Sequence, residues 1–463
     1  MKLLSCIFLL LTINNSFANN VIVKPSIFTI YSSNGKDWMY QEKAINIFGF
    51  GISSLFNNKN WKLTFDYLQI GLLGNVNQDI FNFSPQQSYA YLDQSKDAEG
   101  LWTEHINTKL SYNFNDLIIE LGKFNRHWGN GYRSLYISDK APSYPQIGFK
   151  YKLNQKLNYS YLHGFLNSNI PDSSRSSYYK NNFSLRSISV PRNIAAHQIE
   201  WKLNDKIIFN FNESVIYATR GLDIYYLIPI LPFYPIENYI GDTDNIQMGF
   251  DILFRINELQ KTYVSFFMDE FTPEWIFKSK NHNWFGWQFG YNIKDLILKK
   301  SELQIEYNWT DQRIYMHKYD INDFYNHQHP LGFWAGPHAQ ELLFNYTTNY
   351  GNRVLKFHFS KTKRGLNTRE MVEDNYQDIH LKRYEEGYEE RALISISFET
   401  PSNIKDLRYS IDLNYINFKN VGFEVNDNQL LNGAYIEKIS IDFSLFYNFS
   451  IKKNVIELDS NLE

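Results

Sequence analysis

Apolar and polar residues alternate one by one in many short stretches of the chain. The alternation is unbroken over Leu303–Thr310, over Ile106–Phe114 and over Ile439–Leu445. Successive side chains of a β-strand point to opposite faces, so each stretch predicts a strand between an apolar and an aqueous environment. Soluble β-sandwiches and membrane barrels both show this pattern, so the alternation alone does not choose between them.

The connections between the strands favour a barrel. Short connections, such as Asn113–Asp116, alternate with long ones, such as residues 125–144. An even number of strands, with short turns at one end and long loops at the other, is typical of outer-membrane barrels. The predicted fold class is therefore all-β: a closed antiparallel transmembrane β-barrel of about 18 strands, with long external loops and short periplasmic turns. The eighteen predicted strands begin near Val21, Glu42, Trp61, His105, Leu117, Gln146, Leu157, Ile194, Ile207, Ile246, Thr262, Trp284, Glu302, His338, Arg353, Glu390, Arg408 and Glu437.

The amino terminus predicts export from the cytoplasm. An apolar run, Leu3–Ile13, follows one positive charge and precedes small residues that end at Ala18. This is the pattern of a secretory signal peptide over residues 1–18, which leaves residues 19–463 as a single barrel domain. Cys6 is the only cysteine, so the mature chain has neither disulfides nor a catalytic thiol. The expected location is the outer membrane of a Gram-negative bacterium, as an integral β-barrel.

Composition agrees with segments that face lipid on one side and water on the other. Aromatic residues make up 17% of the chain, with 34 Tyr and 36 Phe, while 21% of residues are charged. The formal net charge is −3, so the chain has no basic footprint for nucleic acid. The predicted partners are outer-membrane lipid, the barrel-assembly machinery during biogenesis, and a surface ligand considered next.

Two long loops combine rings with cations. Tyr and Trp offer an apolar face on which sugars stack as well as a polar handle, and Arg binds carboxylates through two parallel hydrogen bonds. Side chains of this kind predict either polysaccharide binding or the pinning of a loop inside the lumen. In the first loop they are Arg126, His127, Trp128, Tyr132 and Arg133. In the second loop they are Arg313, Tyr315, His317, Tyr325, His327, His329 and Trp334.

Structural roles compete with ligand binding at these positions. Trp128 and Tyr132 would also fit the aromatic girdle at a membrane face, and Arg126 and Arg133 would fit an internal salt-bridge network with Asp139 as partner.

No metal, cofactor or enzymatic reaction is predicted. His327 and His329 are close in sequence, but no carboxylate-histidine motif accompanies them. The acidic run Tyr384–Glu390 has no partner carboxylate that would make a glycosidase pair, so a solvated acidic edge is expected there. No nucleophile–base arrangement stands out along the chain.

The run GKFNRHWGNGYRSLYISDKAP, from Gly122 to Pro142, resembles the central motif of the Wzi-type capsule assembly proteins. In that motif a basic-aromatic turn is followed by W-G-x-G-Y, a serine and Ala-Pro. Three further segments of this chain, in order, are similar to the family: DIYYLIPILPFYPIENYIGDTDN, MDEFTPEW and YNWTDQRIYMHKYDINDFYNHQHPLGFWAGPHAQEL. The resemblance implies a large outer-membrane barrel that acts as a lectin for capsular polysaccharide.

Two functions follow as hypotheses. The first is an outer-membrane protein that binds and anchors capsular or extracellular polysaccharide at the cell surface. The alternative is a porin or substrate-specific diffusion channel, whose lumen would stay open.

Overall fold

Eighteen long strands dominate the computed structural model. The structure describes residues 20–37, 39, 42–74, 83–90, 92–94, 100–181, 186–270, 274, 283–375, 382–426, 429–431, 433–449 and 451–454. The barrel strands in chain order are β1 (Asn20–Ser32), β2 (Ile45–Asn57), β3 (Trp61–Leu73), β4 (Gly100–Phe114), β5 (Leu117–Phe124), β6 (Tyr144–Lys152), β7 (Leu157–Pro171), β8 (Ser189–Lys202), β9 (Ile207–Ala218), β10 (Asn245–Arg255), β11 (Gln260–Met268), β12 (Phe285–Lys294), β13 (Ser301–Thr310), β14 (Ala339–Tyr350), β15 (Arg353–Gly365), β16 (Tyr388–Pro401), β17 (Leu407–Val421) and β18 (Ala434–Asn448).

The strands form a closed antiparallel ring. Each strand pairs with the next along the chain, and β18 pairs with β1 from Asn448 opposite Ser26 to Asp442 opposite Ser32. Two short segments extend the sheet: Leu92–Gln94 pairs with β4, and Ile451–Asn454 pairs with β1. The prediction of a closed barrel of about 18 strands is confirmed.

Two strands begin five residues before their predicted starts. β4 begins at Gly100 rather than near His105, and β8 begins at Ser189 rather than near Ile194. Loops pack against both strand ends: Leu101 joins an apolar cluster with Met39, and Arg192 bonds to backbone carbonyls of residues 321, 323 and 325. At the start of β4 and of β8, residues on both faces of the strand are therefore buried. The one-by-one alternation of apolar and polar residues that marks a strand in the sequence is lost there.

Asparagines shape several of the short turns. The side-chain oxygens of Asn154, Asn204 and Asn257 each accept a hydrogen bond from a backbone N–H two residues later. Asn115 and Asp406 adopt positive φ values of 54° and 65°, which short polar side chains tolerate. These turns lie at one end of the barrel, the short-turn end, and the long loops lie at the opposite, long-loop end.

The long loops contain the small elements of the structure. Helices lie over Ser173–Ser176, Ile224–Leu227, Phe233–Ile240 and Arg369–Asn375, and 3-10 turns over Ser177–Tyr179 and Asp320–Asn322. Two small hairpins pair Tyr325–Asn326 with His329–Pro330, and Glu424–Asn426 with Gln429–Leu431. Within the described residues, none of these helices has the length and apolar composition to cross a membrane.

The barrel wall is apolar outside and polar inside. On β18, Ile441 and Phe443 are exposed, whereas Asp442 and Ser444 are buried in the lumen. The same alternation places Ile305 and Tyr307 outside on β13. Leu303 shares their side but is only 8% exposed, because it pairs between Ile293 and Tyr346 of the adjacent strands. A closed barrel with an apolar outer surface is an integral outer-membrane protein, as predicted.

The division of the chain at residue 18 remains a prediction, as does the single domain over 19–463. Residues 1–18 lie outside the described residues. The ring of strands runs from Asn20 to Asn454.

Candidate functional site

Two long loops fold into the lumen and pack against each other. Loop A comprises residues 125–143 and loop B residues 311–338. The hydroxyl of Tyr315 donates a hydrogen bond to the Leu135 carbonyl at 2.7 Å, and the Ser138 N–H donates to the Leu331 carbonyl at 2.7 Å. We call loops A and B together the plug.

The plug has an apolar core of its own. The core joins the two loops to inward-facing residues of the wall, so it fills the lumen where the loops meet. Its members are Phe83, Trp128, Leu135, Tyr136, Ile137, Ala141, Tyr144, Leu162, Leu166, Ile194, Ala196, Ile216, Phe267, Ile314, Tyr315, Phe324, Leu331, Phe333, Trp334, Ala335, Ala339, Leu393, Ile416, Phe418, Val421 and Ile436.

Loop A is pinned to the wall through two carboxylates. Arg133 donates two parallel hydrogen bonds to Glu341 on β14, both at 3.0 Å. Glu306 on β13 accepts the backbone N–H groups of Tyr132 at 2.7 Å and Arg133 at 3.0 Å. Both carboxylates are fully buried, so each depends on these charge-assisted bonds for its solvation.

Arg126 is also buried, near the end of β5. It donates to Glu120 at 2.6 Å and to Gln146 at 2.5 Å, and its guanidinium lies over the ring of Phe124. The expected partner Asp139 is wrong for both arginines, which bind wall carboxylates instead. The cause is the inward fold of loop A, which brings its arginines against wall carboxylates on β5 and β14.

The other predicted residues of loop A separate into buried and accessible positions. Trp128 is buried in the plug core, and its backbone pairs with Ile137. It is therefore not a ring of the membrane girdle. Tyr132 is half exposed, but it faces a lumenal cavity, which rules out the girdle for this ring too. His127 is exposed and contacts the Gly131 carbonyl through Nε2 at 3.0 Å.

The first part of loop B is structural. Tyr315 is fully buried, with a positive φ of 68°, and its hydroxyl accepts a bond from the Phe333 N–H at 3.0 Å. Arg313 is buried with its guanidinium over the ring of Trp284. His317 is buried, and its Nδ1 accepts the Tyr319 N–H at 3.2 Å.

The second part of loop B reaches the long-loop end. Tyr325, His329 and Trp334 line a cavity there, whereas the His327 N–H donates to the Asn167 carbonyl at 2.8 Å. His327 and His329 therefore do not converge on the same cavity. Among the described residues, no group of three or more His, Cys, Asp or Glu side chains is arranged to hold a metal ion.

Two buried histidines of loop B, His317 and His329, are neutral at physiological pH because burial lowers the pKa of each. Burial, with a smaller contribution from Lys140, lowers the pKa of His329 to about 3. Burial, with Lys318 nearby, lowers the pKa of His317 to about 4. These imidazoles offer hydrogen bonds and not positive charge, so Lys and Arg must provide any pairing with an acidic sugar.

The cavity at the long-loop end, which we call the outer cavity, has a volume of about 530 Å³. Its lining combines Tyr325, His329 and Trp334 with two cations, Lys140 and Arg364, and with the carboxylate of Glu389, the partner of Arg364. Burial and the charge of Arg364 lower the pKa of Lys140 to about 7. The cavity thus contains aromatic rings together with two cationic side chains that burial has partly desolvated.

Lys140 and Arg364 were absent from the predicted site. Lys140 lies in the quoted run of loop A, but nothing in the local pattern separates it from a solvated lysine. Arg364 is close to the last residue of β15, and only the ring of strands brings it to loop B. It lies 2.5 Å from Glu389 and over the ring of Phe83.

A second cavity, the lower cavity, lies on the short-turn side of the plug. Its volume is about 840 Å³, and the plug contributes His127, Tyr132 and Arg133 to its lining. The opposite wall is polar and carries both signs of charge. It includes Glu302, Gln304, Asn345, Thr347, Lys356, His358, Ser395, Ser397, Asp412 and Asn414.

The acidic run Tyr384–Glu390, expected to be a solvated edge, is solvated at Glu385 and Glu386 but not at the two glutamates inside β16. Glu389 and Glu390 are buried. Glu389 pairs with Arg364, and Glu390 lies 3.3 Å from Lys361 and 3.4 Å from Lys419. Basic residues of the neighbouring strands β15 and β17 face these carboxylates across the sheet, an arrangement that the sequence run itself does not indicate.

Comparison with known proteins adds structural likenesses only. No family model and no curated protein matches the chain. Wzi of Escherichia coli, an outer membrane protein involved in group 1 capsule assembly and a carbohydrate-binding β-barrel, is 12% identical; the match covers 97% of this chain and 88% of Wzi, with a TM-score of 0.55. OccAB2 of Acinetobacter baumannii is 9% identical, over 94% of this chain and 99% of its own, with a TM-score of 0.50. These likenesses show the fold.

The likenesses support the predicted outer-membrane barrel. Membership in the Wzi-type family remains a prediction, because the identities are low and more than one kind of barrel matches.

Proposed function

We propose that the protein binds an acidic polysaccharide at its long-loop end and holds it at the cell surface. The observation that carries this proposal is the inward fold of loops A and B. The plug obstructs the lumen and, together with β15, forms the outer cavity of rings and cations. Polysaccharide, outer-membrane lipid and the barrel-assembly machinery are the proposed partners, and no covalent reaction is proposed.

The chemistry of the outer cavity suits a sugar carboxylate. Tyr325 offers a ring for the apolar face of a sugar, and Lys140 and Arg364 offer charge, that of Arg364 being shared with Glu389. The Trp334 indole N–H has no hydrogen-bond partner within the described protein. A buried donor without a partner gains a bond when a ligand oxygen arrives, which favours a hydroxylated ligand here.

Most of the other predicted residues support the plug. Arg126 and Arg133 bind wall carboxylates, and Trp128 and Tyr315 belong to the plug core. Arg313 lies over the ring of Trp284, and the His317 N–H donates to Asp323 within loop B. We propose that they hold the loops in position and that Tyr325, His329 and Trp334, with Lys140 and Arg364, contact the ligand. His127 and Tyr132 face the lower cavity instead.

A cell-surface assay tests this function. A strain that lacks the protein is complemented with the wild type, with Lys140→Gln or with Lys180→Gln, and cell-bound and released polysaccharide are measured. Lys180 is an exposed lysine in the loop between β7 and β8, so its substitution makes the same charge change outside the outer cavity. We expect Lys140→Gln to shift polysaccharide into the medium and Lys180→Gln to retain it. Full retention by Lys140→Gln, at equal amounts of folded barrel, would refute the assignment.

One observation favours the alternative of a diffusion channel. The lower cavity has Arg133 on the plug and Glu302 and Asp412 on the wall, so charges of both signs face each other across about 840 Å³. Such an arrangement would suit a constricted, selective passage. The electrical conductance of a single barrel separates the two functions.

A further inference from the structure

The loop between β9 and β10 lies on the outside of the barrel. Alternation along β8 decides the side: Ile194 packs in the plug core inside, whereas Ile199 and Trp201 are exposed outside. Ala195 and His197 share the side of Ile199, yet both are buried. Something therefore covers the outer surface of β8 toward its long-loop end.

The covering segment is residues 219–244, which we call loop C. It contributes two buried rings, Tyr226 and Phe233, to an apolar cluster that is separate from the plug core. The rest of that cluster comes from loop C and from outward-facing positions of β6 to β10: Phe149, Tyr159, Tyr161, Ala195, Val215, Tyr217, Ile236, Ile240, Ile246 and Met248.

A polar pair on the outer wall holds loop C in place. Glu213 on β9 and His197 on β8 lie 2.7 Å apart on the lipid-facing side. Glu213 accepts the backbone N–H groups of Phe233 at 3.0 Å and Tyr234 at 2.9 Å, at the start of the helix Phe233–Ile240. The Phe233 ring stacks on His197 with centroids 4.5 Å apart. A carboxylate exposed to hydrocarbon would be costly, and loop C shields it.

Backbone carbonyls of loop C accept hydrogen bonds from the wall, as a position in a bilayer would require. The wall tyrosines Tyr159 and Tyr161 donate their hydroxyls to the carbonyls of Pro229 and Tyr226. Irregular backbone at membrane depth requires such internal partners. Prolines, which have no N–H to leave unpaired, occur at three positions: Pro229, Pro232 and Pro235.

The outward side of loop C is apolar. No charged residue occurs from Ile224 to Ile236. Ile230 and Tyr239 are each 80% exposed. Exposed apolar residues of the bare wall continue the same surface toward the short-turn end: Ile199, Trp201, Ile252 and Phe254.

We propose that loop C is embedded in the outer membrane, with its apolar side against the acyl chains of the leaflet at the long-loop end. Pro229 reaches Tyr159, which pairs with Ile199 on β8, so the loop extends well down the strands. The lipid-facing surface of β6 to β10 in this half of the bilayer is therefore loop C rather than the strands. The continuity of its surface with the lipid-facing wall is the reason for choosing lipid as the occupant.

Spin labels in proteoliposomes test the proposal. Cys6, in the predicted signal peptide, is the only cysteine, so single labels are introduced cleanly as Ile230→Cys and Tyr239→Cys. Phe254→Cys on the bare wall is the lipid control, and Asp205→Cys, with a side chain 97% exposed in a short turn, is the aqueous control. The relaxation of each label is measured with oxygen, which partitions into lipid, and with a water-soluble nickel chelate.

We expect the spin label at Ile230 to relax like the label at Phe254, with oxygen accelerating the relaxation far more than the nickel chelate does. The label at Tyr239, near the end of the helix, should give a smaller oxygen-to-nickel ratio. A response at Ile230 like that at Asp205 would overturn the proposal. Spin–spin broadening at Ile230 that disappears on dilution with unlabelled protein would also overturn it, because a second copy of the chain would then cover loop C.

Discussion

Glu306 and Glu341 show why the binding of loop A could not be predicted residue by residue. Both occupy inward positions of strands in which apolar and polar residues alternate, and any polar residue would fit that alternation. Their partners Tyr132 and Arg133 lie more than 170 positions earlier in the chain. An arginine in a loop suits any carboxylate that can accept two parallel hydrogen bonds, and only the ring of strands determines that Arg133 meets Glu341.

Removal of Arg133 should destabilise the barrel. Arg133→Ala leaves Glu341 buried without its main partner, and we expect the free energy of unfolding to fall by about 3–5 kcal/mol. Equilibrium urea unfolding in phospholipid vesicles measures this change. The exposed Arg175→Ala is the matched control and should stay within about 0.5 kcal/mol of the wild type. Equal effects of the two substitutions would show that the Arg133–Glu341 pair does not hold the loop.

Ligand binding should weaken as pH rises through neutrality. Burial and nearby Arg364 lower the pKa of Lys140 to about 7, so its positive charge is present below that pH and lost above it. We expect the affinity for an acidic polysaccharide to fall by about tenfold from pH 6 to pH 8 if the bound form requires this charge. Isothermal titration calorimetry measures the affinity at both values. The fall should vanish in Lys140→Gln and persist in Lys180→Gln; a fall that persists in Lys140→Gln would assign it to another group.

At the scale of elements, strands were predictable and loop paths were not. Period-2 alternation and the alternation of short and long connections are signals that the chain itself carries, and they located all eighteen strands. The path of a long loop depends on distant wall residues. For loop C a signal was present: Glu213 and His197 interrupt the apolar face of their strands. An outward polar residue at membrane depth requires a cover, and loop C is that cover.

Adjacent residues of β16 offer a test of the wall. Ile396 faces outward and Ser397 lines the lower cavity. We expect Ile396→Arg to lower the free energy of unfolding by about 2–4 kcal/mol near the bilayer midplane, and Ser397→Arg to have a much smaller effect. Urea unfolding in vesicles compares the two. A larger loss for Ser397→Arg would contradict the assigned faces.

Asp442 would be a poor choice for the inward position in such a test. Its side chain is fully buried, 2.7 Å from Lys36 and within hydrogen-bond distance of Asn414. Alternation along β18 predicts an inward position at Asp442, and many inward positions of a wide barrel would tolerate arginine. At this one the new cation would face Lys36 where the side chain is buried, so arginine should be destabilising.

At the scale of the whole molecule, the lumen of the barrel is occupied by the protein's own loops. Loops A and B meet across the lumen, join the wall on several sides and divide it into the outer and lower cavities. A barrel of this width without inward loops would leave an aqueous channel. The presence of the plug therefore distinguishes a surface-binding protein from an open pore.

Single-channel conductance in a planar bilayer measures whether the plug closes the lumen. The wild type is compared with a variant in which residues 127–138 of loop A are replaced by a short glycine-serine linker, after both are shown to be heat-modifiable barrels. We expect no steady large current from the wild type and a large, steady current from the shortened variant. Steady wild-type currents as large as those of the variant would show that loops A and B leave the lumen open and do not plug it.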